Sequence, residues 1–402
     1  MRTLVCLIAA FLLFQPGLLQ AQPDIPAEAT AVAEASAPPA EPDFNGLAAL
    51  LKSGTAAQLE QALTVGLDVN MTDGPDGLTP LMFAAASNPD PGVAALLADR
   101  GANLSAQETR YGLTPLMFAA SFNQAPMVSA LIKAGAEANQ RDYLGGTALY
   151  HSAANNKAPG VIYVLMEAGA NPELGDREGR TPLMQAAAQG NVPVARMLLG
   201  QGARVDSIDA QGRTALAVAA AESKAASVIG GLVSAGASLE SRDKEGRTPL
   251  LAAVAANDSL PVIEALKEAG ADLKAVDGSG SDAFLLACLS SPNVEIVKFL
   301  LRNGADLNAA RANGLTPLLA AAGNRDPEVA KFLIRSGADI TAKDPHGRNS
   351  LALAVWLNPN DEVAKVLVNG GVSPAEKDAQ GRSPIDYAGD QRPELVQFLQ
   401  RQ

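Results

Sequence analysis

The most regular feature of the chain is a pattern of apolar and polar positions that recurs about every 34 residues. Thr-Pro-Leu followed by an alanine-rich stretch begins at Thr79, Thr114, Thr181, Thr248 and Thr316. Variants of this sequence begin at Thr147, Thr214, Asp282, Asn349 and Ser383. A period this constant predicts a stacked array of short units, not the two or three globular domains that 402 residues would otherwise suggest.

Each unit predicts a turn followed by two helices. Thr is a favoured N-cap and Pro a favoured first helical residue, so each Thr-Pro begins a first helix. A second helix follows, because apolar residues recur at helical spacing, as at Val329, Phe332 and Leu333, until a Gly-Ala pair ends it. Glycine also stands two residues before all ten Thr-equivalent positions, and Asp stands three residues before seven of these glycines. This spacing predicts a tight turn whose amide hydrogens bond to the carboxylate.

Together these features resemble the ankyrin repeat, in which a turn precedes two antiparallel helices. The resemblance covers residues 73–402 and implies an all-α solenoid of ten repeats with β-turn fingers, the last repeat being a C-terminal cap. Residues 44–72 are expected to form a degenerate N-terminal capping repeat, since they hold two helical stretches but no turn and no Thr-Pro. The family's Thr-Pro-Leu-His histidine is replaced in every repeat, so we expect apolar packing to substitute for its hydrogen bonds.

The first 43 residues lie outside the period. Residues 1–21 combine a basic start, an apolar run and a small-residue exit ending at Ala21, which is typical of a secretory signal peptide. The apolar run is too short for a membrane span, which needs roughly 20 residues. Residues 22–43 hold seven Ala, five Pro and five acidic residues without Lys or Arg, so we expect an acidic, flexible linker. We therefore expect export, to a bacterial periplasm first and to the medium as the alternative.

Composition excludes several classes of protein. The chain is 48% hydrophobic, which is too apolar for a disordered protein, and its net charge of -12 argues against a nucleic-acid binder. Of its two cysteines only Cys288 would remain after loss of the signal peptide, so no internal disulfide is expected. We expect Cys288 to behave as a small buried apolar residue and the mature chain to be a monomer without a membrane span.

The sequence contains no recognisable catalytic or metal-binding motif. Its two histidines, His151 and His346, are not at metal-ligand spacing, and no cysteine cluster or phosphate-binding loop occurs. We expect no metal, no cofactor and no enzymatic activity. His151 is expected to be an exposed bystander on the binding face.

The resemblance implies a concave binding face lined by turn tips and first helices. Candidates therefore lie three and four residues before each Thr-equivalent position, or seven and eight after it. The candidate protein-binding residues are Tyr111, Phe122, Tyr143, Leu144, Arg177, Lys244, His346 and Trp356. Exposed aromatic residues are enriched in binding hot spots, although they also fill gaps between repeats, and the basic row through Arg177 and Lys244 also fits a solvated edge.

These observations favour a non-catalytic scaffold that binds a protein partner of unknown identity. One alternative is a secreted or envelope-tethered factor that acts on a host or cell-wall target, with residues 22–43 as its tether. A third hypothesis, an enzyme or small-molecule binder with a site in the groove, lacks the expected nucleophile, base and metal ligands.

Overall fold

The computed structural model describes residues 44–64, 68–311, 314–389 and 392–401. The predicted signal peptide, residues 1–21, and the predicted linker, residues 22–43, lie outside these ranges. The described residues form no β-strand, only one isolated antiparallel bridge between Lys343 and Asn349, and the all-α prediction is confirmed.

The described residues form 22 α-helices in 11 consecutive pairs, numbered here in chain order. The first member of each pair is called the inner helix and the second the outer helix. The inner helices are α1 Phe44–Ser53, α3 Pro80–Ser87, α5 Pro115–Phe122, α7 Ala148–Asn155, α9 Pro182–Ala188, α11 Ala215–Glu222, α13 Pro249–Ala256, α15 Ala283–Ser290, α17 Pro317–Ala321, α19 Ser350–Leu357 and α21 Pro384–Ala388. The outer helices are α2 Ala56–Leu63, α4 Pro91–Asp99, α6 Ala125–Lys133, α8 Pro159–Glu167, α10 Val192–Gly200, α12 Ala226–Ser234, α14 Leu260–Glu268, α16 Val294–Arg302, α18 Pro327–Arg335, α20 Asp361–Asn369 and α22 Pro393–Gln400.

Local sequence sets both ends of these helices. The Thr79 hydroxyl accepts a hydrogen bond from the Met82 amide at 3.3 Å, and the Asp282 carboxylate caps α15 in the same way at 2.8 Å. Outer helix α4 ends where the amide of Ala102 bonds to the carbonyl of Leu97, with Gly101 between them at φ 87°. This is the left-handed stop that the Gly-Ala pairs predict, and the prediction is confirmed.

Inner and outer helices are buried to different extents. Inner helix α3 buries six successive residues from Pro80 to Ala85, because the inner helices of both neighbouring pairs and its own outer helix pack around it. Outer helix α4 buries a single stripe of Val93, Ala94 and Leu97. The core is therefore a continuous layer that no single repeat could provide, as expected for a solenoid.

A row of buried asparagines, here called the asparagine ladder, links consecutive repeats. Each member lies just after an inner helix, and its side-chain amide donates to main-chain carbonyls of the preceding repeat. Asn156, for example, donates to the carbonyls of Ala120 and Asn123 at 2.9 and 2.8 Å, while its own Oδ1 accepts from the amide of Ala158 at 2.9 Å. The members are Asn88, Asn123, Asn156, Asn257, Asn324 and Asn358.

The ladder has a defined end at the last repeat. There the guanidinium of Arg392 donates to the carbonyls of Val355 and Asn358 at 3.0 and 2.5 Å, in the place of an asparagine. At most of the positions where the family carries its histidine, as at Met82, Met117 and Leu251, the residue is apolar and buried, as expected. Polar cross-repeat bonds are present as well, at the C-terminal ends of the inner helices.

The first helix pair differs from the others. Its sequence has no turn motif of the Asp-Gly type before α1, and polar contacts join the pair to the next one. The Asn88 side chain donates to the carbonyls of Leu51 and Gly54, and the Asp90 carboxylate accepts from the amide of Ala56 at 3.1 Å. These bonds fix the first pair at the start of the stack.

Candidate functional site

A row of fingers precedes the inner helices, and local chemistry makes each finger rigid. The glycine two residues before each Thr-equivalent position has a φ between 67 and 88°, which favours glycine. In the third repeat Asp142 Oδ1 accepts from the amides of Leu144 and Gly146 at 2.7 and 2.8 Å. The corresponding aspartates of six other repeats accept in the same way, which confirms the predicted turn.

Main-chain hydrogen bonds join the fingers from Asp76 to Gly278 into one row, and the same bond joins the last two fingers. The amide of Tyr143 donates to the carbonyl of Tyr111 at 2.8 Å, and the amide of Arg177 donates to the carbonyl of Leu144 at 2.7 Å. The bond recurs from Ala210 to Glu178, Lys244 to Gln211, Gly278 to Glu245 and Ala379 to His346. Because only backbone atoms take part, the side chains at the finger tips are left for other contacts.

The finger bases meet the exposed ends of the inner helices. Arg348 precedes the α19 N-cap, and its guanidinium lies 4.5 Å from the ring centroid of Trp356, at the end of that helix. Arg213 occupies the same place, one residue before the α11 N-cap Thr214, and bonds to Glu222 at 3.2 Å. The finger tips and helix ends thus border one surface, here called the groove.

The N-terminal candidates lie in the groove with different exposures. Tyr143 is 45% exposed, and its ring lies over Gly112, where an added Cβ would come within 2.5 Å of the ring. Leu144 is half-buried at the adjacent finger tip. Tyr111 and Phe122 are half-buried and pack against the core, as the gap-filling interpretation expects. Tyr143 is therefore the N-terminal candidate best placed to contact a partner.

Most arginines of the basic row, which follows the fingers of the middle repeats, form ion pairs. Arg180 is buried and pairs with Glu222, and Arg213 pairs with Asp209 at 2.8 Å. Arg247 likewise bonds to Asp243 at 2.8 Å. Of the candidates, Arg177 and Lys244 are exposed at finger tips, and the described residues show no salt bridge for either. The row therefore presents two separated positive charges without an ion-pair partner, not a continuous basic stripe.

The C-terminal candidates are the most exposed. Trp356 is 54% exposed at the end of α19, and His346 is exposed at the tip of its finger. The Trp356 ring also lies 6.5 Å from the ring of Tyr387 in the next repeat. This end of the groove therefore combines aromatic rings with guanidinium groups.

Sequence reasoning missed two apolar residues of the groove. Leu289 and Leu357 are 44% and 53% exposed at the ends of α15 and α19. Both obey the positional rule of seven or eight residues after the Thr-equivalent position. A search for aromatic residues alone passed over them.

The position of His151 differs from the one expected from the sequence. It is buried, and its Nε2 lies 2.5 Å from Asp142 Oδ2, so it supports a finger and is not an exposed bystander. Its neighbour Tyr150 donates to Asp176 in the next repeat at 2.9 Å. Burial, followed by the Asp176 charge, raises the pKa of the Tyr150 hydroxyl far above its usual range, so the tyrosine stays neutral. The first pair fixes a finger to its own inner helix, and the second joins that helix to the next finger.

Three further observations complete the description of the surface. Among the described residues, no group of three or more His, Cys, Asp and Glu side chains is arranged to hold a metal ion. No helix in the described ranges is both long and apolar enough to cross a membrane. Cys288 is fully buried, as predicted, and burial raises the pKa of its thiol.

Comparison with known proteins identifies the family. The model of the family described as ankyrin repeats (3 copies) matches residues 47–142, 149–243, 218–311, 250–344 and 284–378. The chain is also similar to the crystal structure of the human ASB11 ankyrin repeat domain, with 26% identity and a TM-score of 0.49 over 56% of this chain and 98% of that one. No curated protein matches the chain significantly. Since the family model matches well over half of its residues, this chain belongs to the ankyrin-repeat family.

Proposed function

We propose that this protein is an exported, non-catalytic scaffold that holds one protein partner in the groove. The observation that carries the proposal is the exposure of large aromatic side chains at groove positions, Tyr143 at 45% and Trp356 at 54%. Aromatic residues on a rigid surface are the most frequent binding hot spots. The residues that maintain the fold lie elsewhere in each repeat, so the groove side chains are available for recognition.

Rigidity of the fingers supports this function. Most fingers are closed by their own carboxylate, as in the two bonds to Asp142, and most of the described fingers are joined to a neighbour through the backbone. A surface that is ordered before binding loses little conformational entropy when a partner arrives. The groove is therefore suited to hold a folded or extended protein segment.

A capture experiment tests the binding function. The mature chain is immobilised, extract from the periplasm of the source cell is passed over it, and retained proteins are identified by mass spectrometry. One protein should be enriched, and Trp356→Ala or Tyr143→Ala should reduce its retention by about tenfold. Tyr163→Ala is the matched control, because Tyr163 is 47% exposed but lies on outer helix α8.

Two results would contradict the binding proposal. One is the absence of any enriched protein, and the other is equal retention by Trp356→Ala, Tyr143→Ala and the Tyr163→Ala control. Turnover of a small substrate by the purified chain would contradict its non-catalytic part.

Export is tested separately. Residues 1–21 support it, because their basic start, apolar run and small-residue exit match a signal peptide. We expect the periplasmic chain to begin at Gln22, as determined by N-terminal mass spectrometry. Recovery of the mature chain from the medium would favour the secreted or tethered factor, and an unprocessed chain confined to the cytosol would contradict export.

A further inference from the structure

The repeats that contain α17 and α19 meet at a joint, here called the C-terminal joint, where the usual bond between fingers cannot form. In most fingers the donor of that bond is the amide two residues before the finger glycine, as at Tyr143 and Arg177. In the finger before α19 this residue is Pro345, and proline has no amide hydrogen. Its ring instead packs on the preceding finger, since a Cβ built on Gly314 would lie 3.2 Å from Pro345 Cδ. The two fingers are therefore in contact but are not joined through this backbone bond.

Inner helix α17 is shorter than its neighbours because its repeat lacks one residue. Asn358 lies nine residues after the N-cap Asn349, as most ladder asparagines do, but Asn324 lies only eight after the N-cap Thr316. Helix α17 accordingly has five residues, whereas α15 and α19 have eight each. The amide of Asn324 bonds to the carbonyl three residues before it at 3.1 Å, whereas that of Asn358 bonds four residues back at 3.0 Å. The end of α17 is thus a tightened 3₁₀-type turn, whose hydrogen-bond geometry is poorer than that of an α-helix.

The asparagine ladder is also weaker across the C-terminal joint. Asn358 donates to the carbonyl of Asn324 at 2.6 Å, but its second acceptor, the carbonyl of Ala322, is 3.4 Å away. At the joint before this one, the two bonds donated by Asn324 are both 3.0 Å long. An N–H···O distance of 3.4 Å lies beyond the usual range for a strong bond. Because Ala322 lies in the tightened turn, its carbonyl is poorly placed for the ladder.

The hydrogen bonds that remain place a pivot at the C-terminal ends of the inner helices. Asn358 keeps its short bond to the Asn324 carbonyl, and the Asn360 side chain donates to the Arg325 carbonyl at 3.2 Å. Both acceptors lie in the connection between α17 and α18. The fingers lie at the opposite end of the inner helices, where Pro345 removes the donor. Rotation about the pivot would therefore change the separation of the fingers most.

The C-terminal joint lies between the two most exposed aromatic residues of the groove. Tyr143 belongs to the row of fingers that backbone bonds join from Asp76 to Gly278. Trp356 ends α19, and the finger of that repeat is bonded to the last one through the amide of Ala379 and the carbonyl of His346. Each of these two rows is held together by its own bonds. Movement at the joint would therefore shift one aromatic residue relative to the other.

We propose that the C-terminal joint is a hinge, at which the repeats from Asp344 onward rotate relative to the preceding ones and adjust the distance between Trp356 and Tyr143. Hinges consist of a few residues at the ends of elements that absorb the change in backbone angles, and residues 322–324 at the end of α17 occupy such a place. The use of the hinge rests on the proposed scaffold function, since these aromatic residues are the proposed contacts of the partner. The groove closes on the partner by this rotation.

Distances between spin labels on finger tips, measured by double electron–electron resonance, test the hinge in the free chain. Both native cysteines, Cys6 and Cys288, are replaced by alanine, and labels are attached to cysteines introduced at Arg110 and Lys244 or at Lys244 and Ala379, all exposed finger positions. Each pair spans four joints, about 32–40 Å at the usual helix spacing, but only the second pair crosses the C-terminal joint. Its distance distribution should be about twice as wide as that of the first pair. Equal widths would overturn the proposal.

Repair of the joint tests the cause of the movement. Pro345→Ala supplies an amide at the position from which Ala210 and Ala379 already donate, and insertion of one alanine after Ala321 restores the nine-residue spacing. Pro345→Ala alone should narrow the second distribution, and both changes together should narrow it to the width of the first. Pro374→Ala is the matched control, since it removes a proline outside the fingers and should leave the width unchanged. Full width in a Pro345→Ala chain that circular dichroism shows to be folded would overturn the proposal.

The capture assay separates this inference from the scaffold function. The repaired chain should retain the natural partner several-fold less well than Pro374→Ala, because its groove no longer adjusts. If both retain the partner equally and Tyr143→Ala loses it, the scaffold function holds and the hinge has no part in binding, which overturns the inference. If the wild type retains no partner while the second distribution is wide and narrows on repair, the scaffold function fails and the hinge stands.

Discussion

Replacement of a single ladder asparagine should loosen the joint between two repeats. In Asn156→Ala the carbonyls of Ala120 and Asn123 lose a donor, and the amide of Ala158 loses its acceptor. All these bonds are 2.8 or 2.9 Å long, and Asn156 is only 7% exposed. Water therefore cannot easily replace the missing side chain.

The expected loss of stability follows from these bonds. A buried donor or acceptor left without a partner costs about 1–3 kcal/mol, and part of this is recovered where the structure relaxes. Three groups lose a partner in Asn156→Ala. Two of them are carbonyls, which tolerate a missing donor better than an amide tolerates a missing acceptor. We therefore expect the free energy of unfolding to fall by about 2–4 kcal/mol.

The adjacent residue provides a matched control. Asn155 is the last residue of α7, and its side-chain nitrogen has no hydrogen-bond partner. Because alanine is the better helix former, Asn155→Ala should be neutral or stabilising by up to about 0.7 kcal/mol.

Hydrogen exchange measured by mass spectrometry is the appropriate assay, since long repeat arrays do not unfold in one step. Protection in α5 and α7 should fall by about tenfold for each 1.4 kcal/mol lost in Asn156→Ala, and should be unchanged or higher in Asn155→Ala. If the two variants exchange alike, the ladder does not hold the repeats together and the reasoning fails.

Three further predictions concern single sites. Burial opposes ionisation of Asp378, but hydrogen bonds from Tyr387 and from finger amides outweigh it and lower its pKa to about 2. Its stabilising effect is thus present above about pH 4 and is lost as pH falls towards 2, so Tyr387→Phe should raise the acid midpoint seen by tryptophan fluorescence. Gly230 lies in helix α12, and a Cβ added there would meet nothing within 4 Å, so Gly230→Ala should stabilise the chain by about 0.5–1 kcal/mol in urea unfolding. Gly246 has φ 75°, and a Cβ added there would lie 2.7 Å from a backbone nitrogen, so Gly246→Ala should destabilise the chain. Cys288 should resist thiol reagents in the native chain and react at the rate at which its repeat opens, because the thiol is buried and its pKa is raised.

The elements of each repeat could be predicted because their causes are local. The Thr79 cap, the left-handed glycines and the Asp142 turn each involve atoms a few residues apart, so the sequence pattern contains the whole interaction. The 34-residue spacing then predicts how the units stack.

The ladder and the buried histidine were missed because their partners are distant or unusual. Asn156 looks like an ordinary helix-end residue, and the carbonyls it bonds lie 33 and 36 residues away. A signal was nevertheless available, since asparagine recurs nine residues after Thr79, Thr114, Thr147 and Thr248. The pairing of His151 with Asp142 depends on how the finger folds back over its own helix, and no periodic pattern indicates this.

The hydrogen bonds of the asparagine ladder all run in the same direction along the chain. Every side-chain amide donates towards the N-terminal neighbour, from Asn88 to the first helix pair and, at the far end, from Arg392 to the repeat before it. During synthesis the earlier repeat is already complete when the next one emerges, and it offers only carbonyls, which water can satisfy in the meantime. Each new repeat then brings the donors that lock it to its predecessor, so the array is suited to assemble in the order in which it is made.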